Sequence, residues 1–212
     1  VLIGTTVTAM CGYVMARQDY AYKKILSSYV IFCMLFSGGM VPLYILISRW
    51  LGLRDSIWSL ILPCCCSAWN LLLMKGFFAN TPKELIESGK LDGASELRIF
   101  AQIIVPISTP GIATIALFLM LGTWNDYMHA LLYIETDSKY PLQYLLMKLM
   151  SNIEFLNSEE ALQYGAVQAG TEIPSLAARM AMCILATGPI VIAFPFFQKY
   201  FVRGLTVGSV KG

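Results

Sequence analysis

The chain predicts an all-α, polytopic bundle of helices embedded in a lipid bilayer, and three observations carry that prediction. Of 212 residues, 57% are hydrophobic and 13% charged, with a mean hydropathy of +0.65, whereas soluble domains carry about 25% charged residues. The charges gather between apolar stretches of about 18 to 24 residues, the length a helix needs to cross the hydrocarbon core. No low-complexity segment or internal repeat breaks this pattern, so residues 1–212 read as a single transmembrane domain.

Five spans follow in order, over residues 1–16, 25–47, 56–78, 103–121 and 179–202. The first is already apolar at Val1, and no small-residue processing site follows it. It therefore reads as the remainder of a transmembrane helix rather than a secretory signal, with a sixth span expected upstream. Pro42, Pro63, Pro106, Pro110, Pro189 and Pro195 lie within or at the ends of these spans. Each withdraws a backbone donor, so several helices are expected to be kinked or broken. Cys11, Cys33, Cys64, Cys65, Cys66 and Cys183 all fall in apolar segments and read as small packing residues. The 64–66 triplet lacks C-x-x-C spacing and His129 is remote from it in sequence, so no metal site is expected.

Orientation follows from the basic residues, because Lys and Arg in short loops are retained in the cytoplasm. Arg17, Lys23 and Lys24 follow the first span, and Lys199, Arg203 and Lys211 lie at the C-terminal end. Both regions are expected inside, which puts residues 81–98 inside and residues 49–55 and 125–178 outside. Segment 125–178 carries seven carboxylates against two lysines, a net charge of −5, in keeping with that side. Its stretches 141–150 and 159–169 are helix-patterned, and a connection this long is usually functional or a small lid.

The most informative stretch is the charged insert between the third and fourth spans. Lys75, Lys83, Glu84, Glu87, Lys90, Asp92, Glu96 and Arg98 lie in it or at its edge. Thr81 and Glu84 have the spacing of a capping box, with Pro82 suited to the first helical position. A helix over 82–90, with Leu85 and Ile86 on its apolar side, is expected to stop at Asp92 and Gly93. A second helix would start near Ser95 and run through Phe100 and Ile103 into the next span. Pattern alone allows two readings: a cytoplasmic knob that fits a partner's groove, or an amphipathic loop lying on the headgroups.

The span interiors hold no Asp or Glu, which disfavours an ion-coupled carrier, since such carriers need ionisable or carbonyl-rich sites at mid-membrane; a channel or such a carrier would be favoured by transport in proteoliposomes without ATPase subunits. The absence of a His, Asp or Glu cluster in any span likewise disfavours an intramembrane enzyme. The chain also has no G-x-x-x-x-G-K-[ST] loop and cannot bind ATP in that way itself. Work on a solute would have to arrive through a partner, and the charged insert is the obvious handle.

At these residues the chain resembles the permease subunits of binding-protein-dependent ABC importers for sugars and oligosaccharides. Glu87-Ser88-Gly89, three residues, Gly93, nine residues, and Ile103-Ile104-Val105-Pro106 match the spacing of that family's cytoplasmic EAA motif. Ser88 and Gly89 stand where the motif has alanines, and Val105 where it has leucine; Gly89 should weaken its helix by about 1 kcal/mol relative to alanine. Trp124-Asn125-Asp126 looks like the family's W-N-D/E signature. The ending from Phe197 to Gly204, then Gly208-Ser209-Val210-Lys211-Gly212, resembles its C-terminal pattern. The likeness covers essentially the whole chain and is nearest to the maltose-type second-permease branch, among permeases for complex saccharides.

The resemblance implies a six-helix type I importer permease in a bacterial cytoplasmic membrane, multi-pass, with its C-terminus in the cytoplasm. It implies a second homologous permease as heterodimer partner, two ATPase subunits docked on coupling region 81–102, and an extracellular solute-binding protein. ATP and Mg would sit on the ATPases, with no cofactor on this chain and no nucleic acid among its partners. The coupling residues implied are Glu84, Glu87, Ser88, Gly89, Asp92, Gly93, Ala94, Phe100 and Pro106. Gly208, Ser209 and Lys211 would make a second contact, and segment 154–170 would reach toward the binding protein. For a sugar path, Trp69, Asn70, Trp124, Asn125 and Tyr127 offer aromatic faces and amides. The same residue types also populate interfacial belts and interhelical bonds.

Overall fold

The computed structural model describes residues 1–158 and 175–208, with only the backbone course given at 175 and 199–208. Twelve α-helical elements appear among them: α1 Leu2–Ala16, α2 Lys23–Leu35, α3 Met40–Ile45, α4 Trp58–Cys64, α5 Ala68–Ala79, α6 Lys83–Leu91, α7 Glu96–Ile99, α8 Val105–Ile107, α9 Thr109–Trp124, α10 Met128–Tyr133, α11 Leu142–Leu156 and α12 Ser175–Gly208. Two π-helical turns, Leu46–Trp50 and Phe100–Ile104, extend α3 and join α7 to α8. No strand occurs among the described residues, so the fold is an all-α bundle.

The centre of the bundle is α1 packed along α5, with α9 against both and α12 packed against α9. Ala9, Tyr13, Met74, Phe78, Ile99, Ile104, Ile115 and Leu119 form one buried cluster there. The approach of α1 to α5 depends on Gly12, where a Cβ would stand 2.7 Å from Met74 Cγ. Elsewhere the helices present large apolar side chains outward, including Phe32, Phe36, Ile184 and Ile192. That is the distribution of a body solvated by hydrocarbon or by other helices rather than by water.

The kinks fall only partly where the prolines predict them. Leu176–Gln198 in α12 is long and apolar enough to cross a membrane, and the helix continues through Pro189 and Pro195 without a break. The other spans longer than α1 are bent pairs: α2 with α3 and its π turn at 112°, α4 with α5 at 49°, and Glu96–Ile107 with α9 at 85°. Pro42 does not cause the first bend. The chain leaves the helix at Phe36 in an extended conformation and turns at Gly39, where φ is 85°. The second break follows Pro63, with Ser67 extended at φ −105°, ψ 129°.

The third bend is chemically the most explicit. Proline at 110 cannot donate to the Pro106 carbonyl, and the Thr109 hydroxyl donates to it instead at 2.8 Å, with Val105 O at 3.1 Å. A carbonyl freed by proline at membrane depth must find another donor, and a threonine beside the bend supplies it. The helix starting at Ser95 therefore does reach the next span, but through a π turn and a right-angled corner rather than as one rod.

Candidate functional site

The charged insert folds into an elbow of two short helices seated on the end of the bundle. Its start corrects the capping-box expectation. α6 begins at Lys83 with Pro82 in the cap position, and no side chain caps it. Thr81 stands one residue too early, its amide bonding back to Phe78 O at 3.1 Å to close α5. Proline in the cap position has no side-chain acceptor to offer. Glu84 lies in the first turn of α6, where a carboxylate complements the positive helix end.

The end of α6 follows the expectation closely. Ala94 N–H donates to Gly89 O and Gly93 N–H to Lys90 O, both at 3.0 Å, with Gly93 at φ 74°. This is the double-bonded helix stop that a left-handed residue permits. Ser95 then caps α7, its side chain accepting from Arg98 N–H. Gly89 is the buried contact between the arms: a Cβ there would stand 3.0 Å from Ile103 Cδ1 and 3.1 Å from Ile99 Cγ1. Ile86, Ala94, Phe100 and Ile103 join the buried cluster beneath. Glu84, Glu87, Ser88, Asp92, Gly93 and Pro106 are exposed.

Two apolar residues that sequence reasoning missed stand at the tip. Leu91 is 89% exposed and Leu97 65% exposed, on either side of the Asp92-Gly93 turn. The sequence pattern puts Leu85 and Ile86 on the apolar side and does not single these two out; the packed geometry shows that they face outward.

The elbow is also clasped to α1. Arg17, which closes α1, donates through Nη1 and Nη2 to the Glu96 carboxylate at 2.5 and 3.1 Å and through Nη1 to Tyr13 Oη at 2.8 Å. Its Nε donates to Asp19 Oδ1 at 2.6 Å. Lys90 Nζ reaches Asp19 at 2.9 Å and Glu96 at 3.4 Å. The Arg17 side chain is 10% exposed, against 53% and 58% for its two carboxylate partners. Hydrogen bonds from Arg17 and Lys90 hold Asp19 well below the usual carboxylate range, and the Arg17 bond lowers Glu96 too. A cavity of about 410 Å³ opens beside the clasp, floored by Tyr13, Phe78, Ile86 and Ile104 and edged by Lys83 and Glu87.

A second polar joint ties residues 54–55 to residues 135–139. Asp55, at φ 54°, accepts from the amides of Glu135 and Thr136 at 3.0 Å, from Thr136 Oγ1 at 2.6 Å and from Lys139 Nζ at 2.7 Å. Arg54 pairs with Glu135. Thus the first loop meets the charged insert, and the second loop meets the acidic segment, the two pairings that the basic-residue reading puts on common sides.

The aromatic and amide candidates divide. Trp124 Nε1 donates to Ala186 O at 2.9 Å, tying α9 to α12, and Asn125 Nδ2 donates to Leu121 O on its own helix at 3.0 Å. Asn70 is buried, while Trp69 and Tyr127 are exposed. Gly208 ends α12; Ser209, Lys211 and most of segment 154–170 lie outside the described residues.

His129, remote from the cysteine triplet in sequence, folds against Cys64 and Asp126, with donor atoms of all three within 4.8 Å of one another. Asp126, one residue before the cap position of α10, accepts from His129 N at 3.2 Å, while His129 Nδ1 lies 2.5 Å from the same carboxylate and Cys64 Sγ 3.6 Å. Two ligands bonded to one tetrahedral ion at about 2 Å would stand about 3 Å apart. At 2.5 Å the His–Asp contact is a hydrogen bond, and the trio reads as a hydrogen-bonded joint at the start of α10.

Bent apolar helices carrying a clasped, charged elbow are the architecture of a membrane permease subunit. The family model described as "Binding-protein-dependent transport system inner membrane component" matches residues 8–207, and the chain belongs to that family. Protein LplC of Bacillus subtilis is 41% identical over 217 residues, covering 100% of this chain and 71% of the relative. The polygalacturonan/rhamnogalacturonan transport system permease protein YtcP of the same organism is 40% identical, covering 100% and 73%. Among solved structures, a bacterial ABC transporter involved in import of the acidic polysaccharide alginate matches with a TM-score of 0.79 and 26% identity, over 95% of this chain and 70% of that one.

Proposed function

We propose that this chain is the permease subunit of an ATP-driven importer that moves an oligosaccharide across the cytoplasmic membrane by alternating access. The observation that carries the reading is the elbow. A double-bonded turn at Gly93 presents Glu87, Leu91, Asp92 and Leu97 outward, while Gly89 and Phe100 seat the same helices on the bundle core. An exposed apolar tip edged by carboxylates is a docking surface, and its inner face packs on the buried cluster of the bundle. In this reading a dimer of ATP-binding subunits, carrying ATP and Mg, grips the elbow from the cytoplasm. Closure of that dimer moves the elbow, and the bent spans re-open the path to the opposite side. A second homologous permease completes the path.

The acidic segment joined to Asp55 faces outward and meets the solute-binding protein. Relatives named for polygalacturonan and rhamnogalacturonan and for maltodextrin point to an oligosaccharide as the cargo. Purification of the importer tests the docking reading: the ATPase dimer should accompany the wild-type chain and be depleted in E87K and G93V. Retention of the ATPase and of full uptake in both variants refutes it. Uptake assays with pectin-derived and α-glucan oligosaccharides test the cargo, and transport of neither class refutes that part.

A further inference from the structure

We propose that Arg17 is a positioning residue that relays displacement of the elbow to α1, a role that rests on ATPase docking at the elbow. Both covalent routes from elbow to membrane are interrupted. One passes through the non-helical residues 80–82 between α5 and α6, the other through the π turn Phe100–Ile104 and then the 85° corner ahead of α9, places where the regular helical ladder is broken. A push on α6 and α7 can be absorbed there before it reaches the spans.

The clasp offers a stiffer route. One guanidinium forks onto Glu96 of α7 and onto Asp19 beyond α1, while Lys90 of α6 bridges the same two carboxylates. The four side chains therefore fix both arms of the elbow to each other across the Gly93 turn and to the end of α1. A planar guanidinium bonded through two edges sets direction as well as distance. The apolar contact beneath it, Tyr13 to Phe100 with ring centroids 5.3 Å apart, resists separation but not sliding. α1 in turn packs closely on α5, where Gly12 admits the Met74 side chain with no room for a Cβ. Elbow, α1 and α5 are thus joined as one lever, and Arg17 is its pin.

The test uses the complete importer in liposomes, with ATPase stoichiometry and uptake per ATP hydrolysed as readouts. Arg17→Gln should keep the ATPase subunits at wild-type stoichiometry while uptake per ATP falls at least tenfold. Arg17→Lys should recover part of the loss, and R17E/E96R should exceed either single reversal. Wild-type coupling in R17Q overturns the proposal, as does failure of both rescues. Shedding of the ATPase by R17Q also overturns it, since Arg17 would then support docking rather than relay motion. Retention of both ATPase and uptake in E87K and in G93V sinks the docking reading instead, whatever Arg17 does.

Discussion

Substitution of Gly93 isolates the backbone of the elbow from its packing. The residue sits at φ 74° and a Cβ built on it meets nothing within 4 Å, so a larger side chain is penalised by conformation alone. The left-handed region costs an ordinary L-residue about 1–2 kcal/mol, and asparagine less than others. If the ATPase recognises only the turned elbow, the dissociation constant rises by the inverse of its population, and 1–2 kcal/mol corresponds to at most roughly a 5- to 30-fold change. The expected order of affinity is therefore Gly, Asn, Ala, Val, with G93V measurably weakened by up to roughly 30-fold. Titration of the ATPase dimer onto permease in nanodiscs measures it. Equal affinity for G93V and wild type, or Asn weaker than Val, would refute the argument, because only steric bulk or irrelevance of the turn could give those results.

Other outcomes follow from single contacts. Leu91→Glu should weaken ATPase binding at least tenfold without changing the melting temperature, because this side chain is 89% exposed and contributes nothing to the core. Thr109→Val should lower stability by about 0.5–1.5 kcal/mol by orphaning the Pro106 carbonyl at the 85° bend; detergent-solubilised thermal unfolding reads this. The Asp55 joint should respond to pH with a defined sign. Bonds from Lys139 and Thr136 hold this carboxyl below its usual range, so its contribution is complete at neutral pH, persists below about pH 4, and is lost as pH falls through the lowered native value. Hydrogen exchange at the Glu135 and Thr136 amides should show that profile, and Asp55→Asn should leave both amides less protected at pH 7.

The helical class and the site of the elbow were legible because they depend on local chemistry. Apolar length, the Asp92-Gly93 stop and the Ser95 cap are each set by neighbours within a turn or two. The same locality explains the capping-box error at Thr81, since one residue of register decides whether a hydroxyl caps the next helix or closes the last. Kinks were harder to place. Proline removes a donor wherever it stands, yet α12 runs through two prolines unbroken while the sharpest bend falls at Gly39; whether a freed carbonyl bends the chain depends on what else can serve it.

By itself the sequence determined a lipid-solvated helical body with a charged, glycine-turned insert at one end, because hydropathy and backbone preference act over a few residues. Only the tertiary structure decided that Arg17 meets Glu96 across 79 positions and that His129 meets Cys64 across a comparable gap. It also decided that Leu91 faces outward while Gly89 faces in. Pairings of that kind follow from how α1, α5 and α9 pack, and close packing is a property of surfaces brought together, which no single segment encodes.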